Sequence, residues 1–558
     1  MAYSKLFSGD LPELINEVIQ YFHHDYKTLH SCILVNRLWC RLTIPLLWED
    51  PFSIKFPKNY RFIEIYLHNI NDDDKTKLSE YGINNDLLPL NTLFNYPSFI
   101  KCLDTQRISN SIENWAAAVG TTPIKVQQYN RYSLRSTNLS SQILTFTKFV
   151  YRLIFQTFIE NEVNLHSLEI TMIARKEFDN FNEICELMLQ NPNFICNIKN
   201  FKLDFNTTTE NITKLLEFLH SNCNSISSLY FLFTSCNNNY QLTEKRLSQI
   251  INSQKNLRKI LLGFNDFPLY YSLLSLKNPY FSNTLNSIIF YYVDFRNITV
   301  LTEVFNQLNV LESIHIIYCL SLDSRFIQQI NNINKPFKLK SLFLDEILQI
   351  NESLELLIQK SGNYLEYFGI INYESQQLLR LIIKYCRKIK FLGPIWMDYQ
   401  NINLLFNLIE NVAQNLNYLL IDSLDVGYDK HFSSTILQNL GQILPLKLEY
   451  LNLNLTINTS DFEIFLINSQ NTFIRKLLIS NIKKEENENI YPFVKEYIMK
   501  KKRVKYLAIL ESFRGKYEDL VSHKSKVDEF QLHDIQVLNY DDLFIDIYDF
   551  INFIKEVD

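Results

Sequence analysis

The chain is poor in the residues that interrupt folded structure. Only 10 of its 558 residues are glycine and 14 are proline, so long flexible linkers are not expected. No apolar run reaches the roughly 18 residues of a membrane-spanning helix, and the N-terminus lacks the pattern of a signal peptide. The formal net charge of −5 gives no excess of positive charge for polyanions. We therefore expect neither nucleic acid nor a membrane as a partner.

Cysteine is present without a disulfide pattern. The nine cysteines are scattered, odd in number and without a C-x-x-C pair, which favours reduced thiols in a cytoplasmic protein. The basic run at 500–503 also allows a nuclear location. The same run fits the C-terminus of a helix, where cations complement the carbonyl end, and we favour that interpretation.

Motifs for catalysis are missing as well. The sequence contains no phosphate-binding glycine motif, no zinc-type spacing of Cys and His, and no G-x-S-x-G turn. His23 and His24 are adjacent, and adjacent helical positions point in different directions. Cys102 reads as a buried thiol rather than a nucleophile. We expect no catalytic residue, no metal and no cofactor, and hence no enzyme.

The first fifty residues show strong helical patterning. Apolar residues recur at helical spacing from Leu11 to Phe22, after Asp10 as an N-cap and with Pro12 in the first turn. A second apolar set runs from residue 29 to 42. About 40 residues are too few to bury so much apolar surface alone. The pattern therefore predicts a helical unit that is completed by a partner.

These residues resemble an F-box. The matching stretches are 11–15 (LPELI), 35–39 (VNRLW) and 45–51 (PLLWEDP), with Asn36 where the family often has Cys. The resemblance implies a three-helix domain at residues 1–50 that docks on a Skp-type adaptor of a cullin–RING ubiquitin ligase. It further implies adaptor-binding residues, namely Leu11, Pro12, Ile15, Val35 and Trp39. The alternative is an ordinary N-terminal helical cap with a buried tryptophan.

From about residue 165 the chain repeats a short apolar pattern of the form L-x-x-L-x-L. Leu165 and Val504 are 339 positions apart, and twelve steps of about 28 residues separate them. Helical patterns lie between the copies, for example over 402–409. A further weak copy is present at 527–532. The thirteen copies begin at Leu165, Ile198, Ile226, Leu257, Leu285, Leu311, Leu339, Leu365, Ile389, Leu416, Leu448, Ile474 and Val504.

A strand and a helix at this period are typical of leucine-rich repeats. We expect an α/β fold, with the F-box followed by a curved solenoid of about 13 degenerate repeats at 161–539 and parallel strands on its concave face. Residues 51–160 read as a helical linker and N-terminal cap, with helical patterns over 90–103 and 149–159. Residues 540–558 read as a C-terminal cap helix. A non-repeating α/β fold is the alternative, but it predicts no constant period.

The positions between the strand leucines should face the concave side. They include aromatic and polar residues suited to protein recognition, and we select as target-binding candidates Tyr230, Tyr291, His315 and Phe343. They could instead pack on neighbouring strands. The sequence thus predicts a non-catalytic, substrate-recognition subunit of a Skp–cullin–F-box ubiquitin ligase. The alternative is a repeat-based interaction scaffold outside any ligase.

Overall fold

The chain divides into two compact units, Met1–Leu261 and Leu262–Asp558, which we call unit 1 and unit 2. The structure is a computed structural model, and it describes residues 12–23, 25–54, 57, 59–83, 85–119, 141–233, 240–264, 269–296, 298–344, 352–371, 376–396, 402–422, 430–483, 489–546 and 550–551.

The described part of unit 1 starts with three helices: α1 (Pro12–Gln20), α2 (Tyr26–Cys32) and α3 (Arg37–Leu47). Side chains cap the second and third helices, because Asp25 accepts from the Thr28 amide and Asn36 from the Trp39 amide, both at 3.0 Å. Asn36, the departure from the family pattern, therefore has a local role as an N-cap. We call residues 12–47 the N-terminal module.

The segment after the module is only partly helical. It contains α4 (Phe62–Leu67) and α5 (Asp72–Glu80), but the helix expected over 90–103 is wrong. A 3₁₀ turn at Tyr96–Phe99 and a short strand β1 (Cys102–Asp104) stand there instead. Pro97 lacks an amide hydrogen and fits the first turn of a helix rather than its interior, which explains the short turn.

A parallel sheet follows in unit 1. Strands β1, β2 (Ser167–Met172), β3 (Asn200–Phe205) and β4 (Ser228–Phe233) pair in chain order. The sheet therefore begins at β1, inside the segment that the sequence assigns to a linker. The helices of this part are α6 (Thr105–Val119), α7 (Ser141–Glu160), α8 (Arg175–Gln190), α9 (Glu210–Asn222) and α10 (Tyr240–Ser253). Strand β5 (Lys259–Phe264) spans the division between the units.

Unit 2 continues the alternation of strand and helix. Its parallel strands pair in chain order: β6 (Ser287–Tyr291), β7 (Ser313–Ile317), β8 (Leu339–Leu344), β9 (Tyr367–Ile371), β10 (Phe391–Trp396), β11 (Tyr418–Asp422), β12 (Lys447–Leu455), β13 (Phe473–Ile482) and β14 (Val504–Phe513). The helices before β11 are α11 (Tyr270–Ser275), α12 (Leu301–Gln307), α13 (Ser324–Asn331), α14 (Glu352–Ser361), α15 (Gln376–Tyr385) and α16 (Ile402–Val412). Those between β11 and β14 are α17 (Lys430–Ile443), α18 (Thr459–Asn468) and α19 (Tyr491–Val494).

Each of the thirteen apolar copies in the sequence corresponds to one strand, from β2 to β14. The expected α/β architecture with a parallel sheet is thus confirmed. The helix predicted over 402–409 is confirmed as α16, whose apolar stripe is buried. The period holds because neither the strand nor the helix of one repeat can bury its apolar face without a neighbour.

The last repeat ends differently from the expectation. The weak copy at 527–532 is not a strand, since helix α20 (Lys524–Gln531) occupies it. Strand β14 instead pairs with two short strands, the antiparallel β15 (Lys516–Asp519) and the parallel β16 (Gln536–Val537). These two strands provide hydrogen-bond partners for backbone groups of β14 that would otherwise be exposed at the edge of the sheet.

The continuous cap helix expected at 540–558 is also wrong for the part that the structure describes. Helix α21 covers Tyr540–Leu543, residues 544–546 are neither helix nor strand, and residues 550–551 are again helical. The segment contacts strands β8, β9, β10 and β12 through Tyr540, Ile545 and Phe550. Among its described apolar residues, Phe550 packs on aromatic rings of the sheet. We call the described residues 540–546 and 550–551 the C-terminal segment.

Candidate functional site

Two of the residues selected for adaptor binding belong to the core of the N-terminal module. Ile15 is fully buried and Trp39 is 8% exposed, and both pack in one cluster with Ile19, Leu29 and Leu46. Pro12 is half-buried at the start of α1. Leu11 lies outside the described residues. Ile15 and Trp39 therefore hold the module together and are not available on its surface.

Other apolar side chains of the module are exposed to solvent. They comprise Leu14 (45%), Val18 (38%), Tyr21 (89%), Leu34 (75%) and Val35 (51%), and we call them the exposed apolar set. Leu14, Val18 and Tyr21 follow i, i+4, i+7 spacing, so they share one face of α1 and its extension. Ile15 and Ile19 lie on the core face. Helix α1 is thus apolar on two faces, of which the module buries one.

The module is fixed to the first strand of unit 1. The amides of Lys101 and Cys102 both donate to the carbonyl of Glu49, at 3.0 and 3.2 Å. The Trp48 ring lies 4.3 Å from that of Tyr96 and 5.7 Å from that of Tyr66, between centroids. The contacting residues Trp48 and Glu49 come directly after the last residue of the module. The module therefore has a defined orientation on unit 1.

Burial raises the pKa values of two residues next to these contacts, Asp50 and Cys102. Desolvation raises the pKa of Asp50 to about 6, against the opposing effect of the Arg107 charge. Burial, together with the neighbouring carboxylates, raises the pKa of the Cys102 thiol to about 12. A thiol with such a pKa carries almost no thiolate at neutral pH, and the thiolate is the nucleophile. Cys102 therefore has the properties of a structural cysteine.

Charged residues of unit 1 share one row of the sheet. Asp104, Glu169 and Lys202 are register partners on β1, β2 and β3. Lys202 Nζ lies 3.3 Å from Glu169 Oε2. Burial lowers the pKa of Lys202, but the carboxylates of Glu169 and its neighbours outweigh burial and raise it overall. The next partner in the row is the target-binding candidate Tyr230, which is buried. Within the row, Lys202 compensates the charge of Glu169.

The other three target-binding candidates lie in unit 2 and are also buried. Tyr291 packs edge-on against Tyr292, with centroids 4.8 Å apart. His315 is completely buried, and its Nδ1 lies 2.6 Å from Ser341 Oγ. Phe343 is covered by the ring of Phe550 from the C-terminal segment, with centroids 4.5 Å apart. The structure brings none of the three to an open surface, but it identifies what covers Phe343.

Sequence reasoning missed a row of aromatic residues in unit 2. Tyr367, Phe391, Tyr418 and Tyr450 are successive register partners on β9 to β12, and we call them the aromatic row. The rings of Phe391 and Tyr418 stack at 5.7 Å, and those of Tyr418 and Tyr450 at 6.0 Å. The sequence contains a signal for this row: each of the four residues directly precedes the second apolar position of its repeat.

The basic run at 500–503 follows a helical segment, Lys495–Met499, and precedes β14, as expected. Its last residue, Arg503, is buried and donates from Nη1 to the carbonyl of Leu466 at 3.0 Å and from Nη2 to the carbonyl of Ser469. Arg503 is therefore a residue of the core that joins α18 to β14.

Within the described ranges, no three His, Cys, Asp or Glu side chains are grouped as metal ligands would be. No described helix combines the length and the hydropathy that crossing a membrane requires. Two features are candidates for recognition: the exposed apolar set of unit 1, and the aromatic row of unit 2, which is largely buried and is contacted by Phe550. No protein-family model matches the chain, and a search of curated proteins finds no relative of it.

Proposed function

We propose that this protein is the substrate-recognition subunit of a Skp–cullin–F-box ubiquitin ligase. The N-terminal module binds a Skp-type adaptor, and the repeats, as leucine-rich repeats, bind a target protein. The resemblance of residues 11–51 to an F-box supports the first half of this proposal. The strand–helix repeat of about 28 residues supports the second.

The observation that carries the proposal is the exposed apolar set. Leu34 and Val35 precede α3, and Leu14 and Val18 share a face of α1. Exposed apolar side chains concentrated in one small module are typical of an interaction site. The adaptor would bury them by contacts with α1 and with the turn before α3. Ile15 and Trp39 would contribute indirectly, by fixing the helices that present this surface.

The rigid attachment of the module gives the proposal a mechanism. An adaptor bound to the module holds unit 1 in a fixed orientation, because Glu49, Trp48 and Tyr96 join the module to the sheet. A target bound to the repeats is then kept near the ubiquitin-charged partner. Tethering of this kind raises the effective concentration of the reacting groups. The chain itself supplies no catalytic group in this scheme.

Co-expression with a Skp-type adaptor tests the proposal. We expect wild-type chain to co-purify with the adaptor at equal stoichiometry, and the double variant Leu34→Glu/Val35→Glu to lose it, since charges at these positions oppose apolar burial. Leu446→Glu is the matched control, because Leu446 is equally exposed but lies in unit 2. Failure of the folded wild type to bind would leave the scaffold alternative. Binding by the double variant would place the interface elsewhere.

A further inference from the structure

The C-terminal segment crosses the aromatic row of unit 2. The Tyr540 hydroxyl donates to Asn452 Oδ1 at 2.8 Å, and the Ile545 amide donates to the Tyr450 hydroxyl at 3.3 Å. Both acceptors are side chains of β12. Farther along the segment, Phe550 reaches β8, β9 and β10. The segment therefore runs from β12 back toward strands that occur earlier in the chain.

Phe550 occupies a seat built from three aromatic rings. Its centroid lies 4.5 Å from Phe343, 5.0 Å from Phe391 and 5.5 Å from Tyr367. Only 1% of Phe550 is exposed. Gly369 leaves space for the Phe343 ring, which forms one side of the seat. A Cβ atom at position 369 would lie 2.6 Å from Cδ1 of Phe343. The seat thus has a shape that accepts one aromatic side chain.

The described part of the C-terminal segment contributes no strand to the sheet. Residues 544–546 form neither helix nor strand, and the bonds to Asn452 and Tyr450 involve side chains rather than the strand backbone of β12. Release of the segment would leave the pairing of β8 to β12 intact. Detachment would expose four side chains that are buried in the closed arrangement, Tyr540, Leu543, Phe550 and Ile551, so it requires a competing ligand that buries comparable apolar surface in their place.

We propose that the seat is a peptide-binding site and that the C-terminal segment is its intramolecular ligand. The external ligand is a protein segment with an aromatic anchor preceded by carboxylates, because the chain's own segment places Asp541, Asp542 and Asp546 before Phe550. That this ligand belongs to a ligase target rests on the proposed function. A tethered competitor has an effective concentration in the millimolar range, so binding of a target requires release of the segment.

The probe for this proposal is a fluorescent peptide of residues 538–558, titrated into the full-length protein and followed by anisotropy. We expect the Phe550→Ala chain to bind it at least about tenfold more tightly than the wild type, because the variant empties the seat. The same peptide with Phe550→Ala should not bind. Tyr517→Ala, an exposed aromatic residue of β15, is the control protein and should behave as the wild type.

Three results would overturn the proposal: equal affinity of wild type and Phe550→Ala, no binding to a folded Phe550→Ala chain, or equal binding of the altered peptide. Thermal unfolding of the Phe550→Ala variant distinguishes a detachable ligand from a core element of unit 2. A Phe550→Ala variant that unfolds unit 2 would make the segment a core element and not a ligand. The adaptor plays no part in the titration, so peptide binding by a chain that fails to bind the adaptor would refute the ligase assignment alone.

Discussion

Replacement of Trp39 by alanine should unfold the N-terminal module locally. Trp39 is 8% exposed and packs with Ile15, Ile19, Leu29 and Leu46. Truncation of a buried Trp to Ala costs about 3–5 kcal/mol, and a core this small has few neighbours that can close the cavity. Because whole domains are stable by only about 5–15 kcal/mol, the open state of the module should become populated. Loss of adaptor binding in this variant would then follow from unfolding.

Amide hydrogen exchange with mass spectrometry measures this effect region by region. Trp39→Ala should lose protection in residues 12–47 and retain it in β6 to β14, which lie in the other unit. Leu34→Ala is the matched control, because Leu34 is 75% exposed and surface changes usually alter stability by less than about 0.5 kcal/mol. Wild-type protection of residues 12–47 in Trp39→Ala would refute the assignment of Trp39 to the core.

Three further changes test other parts of the structure. Asp50 has a pKa of about 6, above its unfolded value, so its contribution to the free energy of unfolding should fall by about 1.4 kcal/mol between pH 5 and pH 7.5; Asp50→Asn should remove that fall in urea titrations at these two pH values. Arg503→Met should lower the unfolding free energy by about 3 kcal/mol, since buried carbonyls lose their donor, and an unchanged urea midpoint would contradict this. Gly369→Ala should lower the free energy of unfolding by about 1–3 kcal/mol. A Cβ atom at this position would lie 2.6 Å from the Phe343 ring and 2.7 Å from the Gly393 carbonyl oxygen. A melting temperature equal to that of the wild type would contradict this prediction.

The strands were predictable because their signal is local and periodic. Every copy of the apolar pattern must be buried on one face, and the spacing of the copies marks each strand from β2 to β14. Strand β1 carries only three residues, Cys102–Asp104, and such a short run has no periodicity to detect. The end of the sheet was missed for a similar reason, since β16 has only two residues.

Which side chains of the candidate recognition features are exposed and which are buried depends on tertiary contacts. The helical or strand period of the sequence does not encode these contacts. Trp39 and Val35 lie in the same matched stretch, yet one is buried and the other is exposed. The C-terminal segment has apolar residues at helical spacing, but Phe550 finds its partners on strands about 160–210 positions earlier in the chain. The aromatic row was visible in the sequence, at a repeat position other than the one that yielded Phe343.

The most direct test of the account is hydrogen exchange of the full-length protein with and without a Skp-type adaptor. We predict new protection in residues 12–23 and 31–38, which contain the exposed apolar set, and unchanged exchange in β6 to β14. Protection confined to unit 2, or no protection anywhere at saturating adaptor, would contradict the assignment of the N-terminal module as the docking site.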